Sequence, residues 1–277
     1  MMPPPKDKGA QPTPDGPAVL MEVLKVAGTR PETGASIKEK NQYAVRFANT
    51  MAERIASDLH GRLKGIYASP KRGARSAEGP KQLDVNFSPP HLGLALGISL
   101  KSVHTRDVGG NHRYTHNMKR NREELLVEAS GYHKRQPYAV MVGVLFLPLD
   151  SCEDGRGTNP SSFGSWVRKL RPLAGRGEPE NEIERFERIF VALYDPDGTH
   201  LRFFDVESDP PRNARPPDDD AGRIGPDGRP RRTLSYSEFL DAVHEEYLER
   251  NLLKFRWANG DEEILDPEGT DSEDEPT

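Results

Sequence analysis

No apolar run of about 18 residues occurs in the 277-residue chain, so none of its segments is fit to span a bilayer as a helix. The first residues carry prolines and charges in place of the apolar core of a secretion signal. Cys152 is the single cysteine. A disulfide within one chain is therefore excluded, as expected of a protein held in a reducing cytoplasm. Cys152 also lies in a Gly-rich polar stretch with no clear partner, which argues against a thiol nucleophile. No phosphate-loop motif and no internal repeat is present.

Apolar residues are scarce as well, at 34%. The deficit falls at the two ends and in the proline-rich stretch 207–232, and the middle is ordinary globular sequence. This predicts a disordered N-terminus over 1–17, a core domain over 18–206, a flexible linker over 207–232, a C-terminal helix within 233–258 and a disordered acidic tail over 259–277. The net charge of −5 is distributed in the same uneven way. Nine acids and no base fall within 259–277, and without them the balance is +4. From 101 to 122 there are six bases (Lys101, Arg106, Arg113, Lys119, Arg120 and Arg122) against one acid, Asp107. Such a stretch is either a solvated basic face or a surface for phosphates.

Ser36-Ile37-Lys38-Glu39 is a capping box, and Ala44, Phe47, Ala48, Met51, Ile55 and Leu59 follow it as one apolar stripe. The pattern predicts a helix from Ser36 to about Leu63. Alternation predicts strands over 81–87 and over about 92–104, joined by Ser88-Pro89-Pro90-His91. A helix is expected from Tyr114 or Thr115 to about His133. The Val- and Leu-rich run 138–147 lacks alternation and reads as a central strand buried on both faces. Further helices are expected from Ser161 or Ser162, over 180–186, and from Ser235 to about Leu252. Residues 189–206 read as a hairpin turning at Asp195-Pro196-Asp197-Gly198.

The two strands at 81–87 and 92–104 carry the chemistry. Asp84 lies on the first and Lys101 on the second, with Ser99 on the same strand face as Lys101. If the strands pair, a carboxylate able to hold a hard cation meets an ammonium able to orient water or neutralise phosphate. This arrangement resembles the PD-(D/E)xK nucleases, the restriction-endonuclease-like superfamily, over residues 36–148. Asp84 stands at the family's Asp and Lys101 at its Lys, in the family's order of helix, strand, strand, helix, strand. Ser99 stands where the second acid belongs.

The resemblance implies an α/β fold with a restriction-endonuclease-like mixed central sheet flanked by helices, to which the hairpin and the C-terminal helix are added. It implies a Mg- or Mn-dependent DNA endonuclease, of the kind used in restriction or phage defence, acting as a homodimer or beside a partner subunit. The catalytic candidates are Asp84, Lys101, Glu53 and Ser99. The metal would lie on Asp84, the Leu100 carbonyl and an acid that replaces Ser99. Glu53, on the preceding helix, is the first choice for that acid and Asp107 a weaker one. Nucleic-acid contacts are expected from Arg113, Tyr114, Thr115, His116, Asn117, Lys119, Arg120 and Asn121. His112 and His116 share a helical spacing that suits zinc, but without a third ligand they fit phosphate contact better. Two rival readings remain open. In one, the loss of the acid at Ser99 leaves an inactive module that binds nucleic acid or a partner protein. In the other, Asp84 and Lys101 only satisfy each other.

Overall fold

The computed structural model describes residues 15–69, 82–90, 92–108, 112–177, 182–218 and 233–251, and the backbone of two short strands at 256–257 and 264–265. The first helix, α1 (Gly16–Ala27), begins with Pro17 in its first turn, where the missing N–H costs nothing. In α2 (Ile37–Leu59) the expected capping box is formed. The Ser36 hydroxyl accepts from the Glu39 N–H at 3.2 Å, and the Glu39 carboxylate accepts from the Ser36 N–H at 2.9 Å. Tyr43, Phe47, Met51, Ile55 and Leu59 line the buried side of α2.

The sheet holds β1 (Tyr67–Ala68), β2 (Val85–Phe87), β3 (Leu96–Ser102), β4 (Val140–Pro148), β5 (Arg188–Tyr194), β6 (Leu201–Asp205) and β7 (Thr233–Leu234), side by side in chain order. The pairings β3–β4 and β4–β5 are parallel and the others antiparallel. Three helices complete the fold: α3 (Met118–His133), α4 (Ser162–Leu170) and α5 (Tyr236–Arg250). One core joins α1, α2 and α5 to the sheet face that bears Ile98, Leu100, Val142 and Val144. The other joins α3 and α4 to the face that bears Met141, Leu145, Val191 and Leu193. Every residue of β4 is buried, as its unbroken apolar run requires of a strand covered by helices on both faces.

Several expectations are corrected. The hairpin is not an appendage, because β5 pairs with β4 over seven residues and is buried on both faces. No helix spans 182–186. The Phe186 N–H instead donates to Leu173 O (2.7 Å) and its carbonyl accepts from Arg176 (3.1 Å), which seats the Phe186 ring in the core. The strand that carries Lys101 begins at Leu96 rather than Leu92, and β2 begins after Asp84. The α3 helix starts at Met118 because Asn117 adopts a left-handed conformation (φ 59°) that no helical turn contains. The first part of the supposed linker is packed against the core. Arg171 donates to Ser208 O, and Arg212 O accepts from the Ser161 N–H (2.9 Å).

Residues 1–14 of the expected disordered N-terminus, the basic loop 70–81, His91, the glycine turn 109–111 and the linker 219–232 lie outside the described residues. So does the acidic tail, except that the backbone of 264–265 pairs with 256–257. Among the described residues no helix is long and apolar enough to cross a membrane.

Candidate functional site

Asp84 ends up beside Lys101 because of a crossing at Gly97. Leu83, just before Asp84, lays its side chain over Gly97 of β3, and a Cβ at that position would run into Leu83 Cδ1. The crossing locks the segment before β2 onto β3. Asp84 then bonds at both ends. Its N–H donates to Ile98 O (3.1 Å), and its carboxylate accepts from the Leu100 N–H (2.6 Å). Within a strand, the N–H and C=O of one residue leave on the same edge. The Leu100 carbonyl therefore leaves β3 on the edge where Asp84 sits. Asp84, buried, and the Leu100 carbonyl form an oxygen-rich edge on this side of the strand.

Ser99 and Lys101 point to the α3 side of the sheet, opposite Ile98 and Leu100. There they meet Glu128 of α3, a residue not among the candidates drawn from the sequence. One Glu128 oxygen accepts from the Ser99 hydroxyl at 2.6 Å, and the other accepts from Lys101 Nζ at 2.7 Å. Glu124, one turn earlier, stands 3.7 Å from the same ammonium. The Lys101 side chain is 12% exposed and that of Glu128 is 5% exposed. Burial alone would lower the Lys101 pKa. The pull of Glu128, with Asp84 and Glu124 behind it, outweighs burial and raises it. Lys101 is therefore an ammonium at neutral pH, suited to donate to water or phosphate and unsuited to act as a base.

A signal for Glu128 was present. Leu125, Glu128, Ala129 and Tyr132 follow the spacing of a buried helical face, so this acid lies on the packed side of α3. Glu53 does not join the group. It is exposed, on a helix that packs against the opposite face of the sheet. Asp107 is committed elsewhere, accepting from Thr115 Oγ1 (2.8 Å) and from the His116 N–H (2.9 Å).

The segment expected to contact nucleic acid divides in two. Arg113 turns inward and donates to Pro160 O (2.7 Å) and Ser165 Oγ (3.2 Å). Tyr114 is buried, and its hydroxyl accepts from Arg30 (2.7 Å) and donates to Asp150 (2.8 Å). Thr115 and His116 are tied to Asp107, and the His116 ring lies 3.0 Å from the Asp107 carboxylate. The surface members are Asn117, Lys119, Arg120 and the half-buried Asn121. Lys119 and Arg120 pair loosely with Glu123 (3.8 Å) and Glu124 (2.9 Å) while remaining mostly exposed. Such pairs are worth little and yield readily to a phosphate. His104 faces away from Lys101, against Tyr43 and Phe47 of α2. Cys152 is buried, and burial pushes its thiol pKa up, so it is inert as a nucleophile.

A magnesium ion takes hard oxygen ligands, often only one or two carboxylates together with waters and substrate phosphates. Asp84, Glu128 and the Leu100 carbonyl match that donor chemistry. Three carboxylates, Asp84, Glu124 and Glu128, act on one ammonium, which leaves the pocket net negative. Among the described residues, no cluster of three or more His, Cys, Asp or Glu side chains forms a ready-made cage.

Comparison with known proteins returned no matching family model, no similar curated protein and no similar solved structure.

Proposed function

We propose that this chain is a metal-dependent endonuclease of the restriction-endonuclease-like kind, acting on DNA. The observation that carries the reading is the convergence of Asp84, the Leu100 carbonyl, Lys101 and Glu128 at one end of β2 and β3. The order α2, β2, β3, α3, β4, with β2 antiparallel and β4 parallel to β3, agrees with the helix, strand, strand, helix, strand order of the resemblance. Glu128 takes the place of the acid that is absent at Ser99. An acid delivered from α3 can reach the same space as one projecting from β3, and the Ser99 hydroxyl holds its orientation.

In this mechanism Asp84, Glu128 and the Leu100 carbonyl would hold a divalent cation. When bound, that ion supplies Lewis-acid stabilisation of the charge that develops on the phosphate. Lys101 has three N–H donors and gives one to Glu128, so it can present another to the attacking water or to a non-bridging phosphate oxygen. Water adds to phosphorus and releases one proton to solvent, the bond to the leaving oxygen breaks, and that oxygen takes up one proton from solvent. Asn117, Lys119 and Arg120 at the start of α3 are placed to neutralise neighbouring phosphates, a contribution that falls with salt.

The test is cleavage of supercoiled plasmid and phage DNA with magnesium or manganese, with and without chelator, beside Lys101→Ala. Metal-dependent cutting that disappears in the variant supports the reading. Salt-sensitive binding with no cutting on any substrate supports the inactive module instead. That second reading draws on the present geometry, in which both Glu128 oxygens are already occupied by Ser99 and Lys101.

A further inference from the structure

A second polar site lies on the other face of the sheet. The loop after α1 and the first half of α2 enclose an open cleft of ≈ 630 Å³, lined by Arg30, Pro31, Gln42, Tyr43 and Arg46 among others. Arg30 is anchored by donating Nε to His104 O (2.6 Å) and Nη2 to the Tyr114 hydroxyl (2.7 Å). Arg46 is anchored by donating Nε to Ala27 O (2.9 Å). Each guanidinium is thus held at one edge, and neither forms an ion pair with a carboxylate among the described residues. Two acids also line the cleft: Glu39, whose carboxylate is taken up by the Ser36 cap, and Glu32, which is exposed to solvent.

Tyr43 lines the same cleft. It is 1% exposed, and its hydroxyl has no hydrogen-bond partner. A buried hydroxyl without a partner is costly, so its retention calls for a reason. Burial raises its pKa against the pull of Arg30 and Arg46, so it is a neutral O–H donor with both cations in electrostatic reach. Its ring packs edge-on against His104 (centroids 4.8 Å apart), which fixes it in place. His104 follows β3, and the neighbouring Phe47 touches Phe146 of β4 and Tyr194 of β5. The cleft therefore opens near the carboxyl ends of the parallel strands, where open α/β sheets collect their ligands.

We propose that this cleft binds a phosphate group, held by the free edges of Arg30 and Arg46 and by the Tyr43 hydroxyl. Two planar guanidinium forks and one O–H donor suit a dianion with three terminal oxygens. Two sources share that chemistry: free phosphate and the phosphorylated end of a nucleic acid strand. The site is independent of Asp84, Lys101 and Glu128, and it stands whether or not the chain cuts DNA.

The experiment is calorimetric titration of the full chain with inorganic phosphate, and with one short oligonucleotide with and without a 5′-phosphate. It is repeated on Arg46→Gln, Tyr43→Phe and Asp84→Asn. Arg46 is exposed and Tyr43→Phe removes only an unpartnered hydroxyl, so both variants are expected to fold. Binding of inorganic phosphate identifies a free anion as a sufficient ligand. Binding of the 5′-phosphorylated strand alone identifies a strand end. In either case Arg46→Gln should weaken binding about tenfold or more, the equivalent of one charge-assisted hydrogen bond, and Asp84→Asn should leave it unchanged. Tyr43→Phe should weaken binding several-fold without lowering stability in the absence of phosphate. Absence of binding to every probe, or equal affinity in wild type and Arg46→Gln, overturns the proposal.

Discussion

The contact between Lys101 and Glu128 gives a sharp prediction, because removing both partners should cost less than removing either one. Each side chain is nearly buried and they meet at 2.7 Å. Breaking a buried ion pair from one side costs roughly 3–5 kcal/mol, because the remaining charge stays in a poor solvent. Here the low end applies to Glu128→Leu, since Glu124 at 3.7 Å still faces the ammonium. About 3 kcal/mol is expected for Glu128→Leu and at least as much for Lys101→Met. The double variant strands neither partner's charge, and the remaining acids keep other contacts, Asp84 with the Leu100 N–H and Glu124 with Arg120. Only the Ser99 hydroxyl loses its acceptor, at a cost of about 1 kcal/mol. The two single losses taken together should therefore overstate the double by about 5 kcal/mol, well above the coupling of ordinary neighbours. Urea unfolding of the four proteins, followed by the fluorescence of the buried Trp166, measures this. Additive losses would refute the buried pair, and with it the placement of α3 against β3.

Other expectations follow from the same packing. His104 is buried against Tyr43, Phe47 and Tyr194, and burial, then Arg30, depresses its pKa from 6.5 to about 3. The unfolded chain thus takes up this proton first as pH falls below 6.5, and stability drains away down to about pH 3. The loss by pH 5 is about 2 kcal/mol, and His104→Gln should lack it when urea midpoints at pH 7.5 and 5 are compared. Gly97→Ala should cost about 1–3 kcal/mol, since its Cβ meets Leu83 and lies 3.0 Å from Met141 Sδ. Because Leu83 holds Asp84, that variant should lose more cleavage than its thermal stability alone explains. Ser99→Glu should destabilise the protein by placing a second carboxylate against Glu128. Combining it with Glu128→Ser, which returns the acid to β3, should restore both stability and metal-dependent cutting, measured by thermal melts and plasmid nicking.

Local order was legible wherever a residue's role depends on near neighbours. The Ser36 and Ser235 caps, the stripe of α2 and the fully buried β4 all follow from short-range pattern, and each formed as expected. The adjacency of the Asp84 segment to the strand of Lys101 was legible too, although Asp84 itself falls just before β2. Long-range pairing was not. Nothing in residues 189–206 announces that β5 will pair with β4 rather than stand as a free hairpin, because that contact depends on two segments over forty residues apart. The start of α3 was misplaced because Asp107, through tertiary hydrogen bonds, draws Thr115 and His116 out of the helix. Glu53 was chosen by analogy, with Asp107 as the alternative, while the spacing of Glu128 with Leu125 and Ala129 already marked that acid as facing inward. The inward turn of Arg113 and Tyr114 could not be read from charge, since a basic segment looks alike whether it meets solvent or a carbonyl such as Pro160 O.

The account rests most heavily on Glu128 being the acid that completes the site. The direct test is the initial rate of metal-dependent DNA cleavage by Glu128→Gln and Glu53→Gln, measured beside wild type. Glu128→Gln keeps the shape of the side chain, its one carbonyl oxygen can still accept from Lys101, and its amide can donate to the Ser99 oxygen, so the fold is expected to survive. The rate should fall by about a hundredfold or more in Glu128→Gln, the usual cost of removing one preorganised charge-stabilising group, and stay near wild type in Glu53→Gln. Full activity in Glu128→Gln with loss in Glu53→Gln would contradict the assignment.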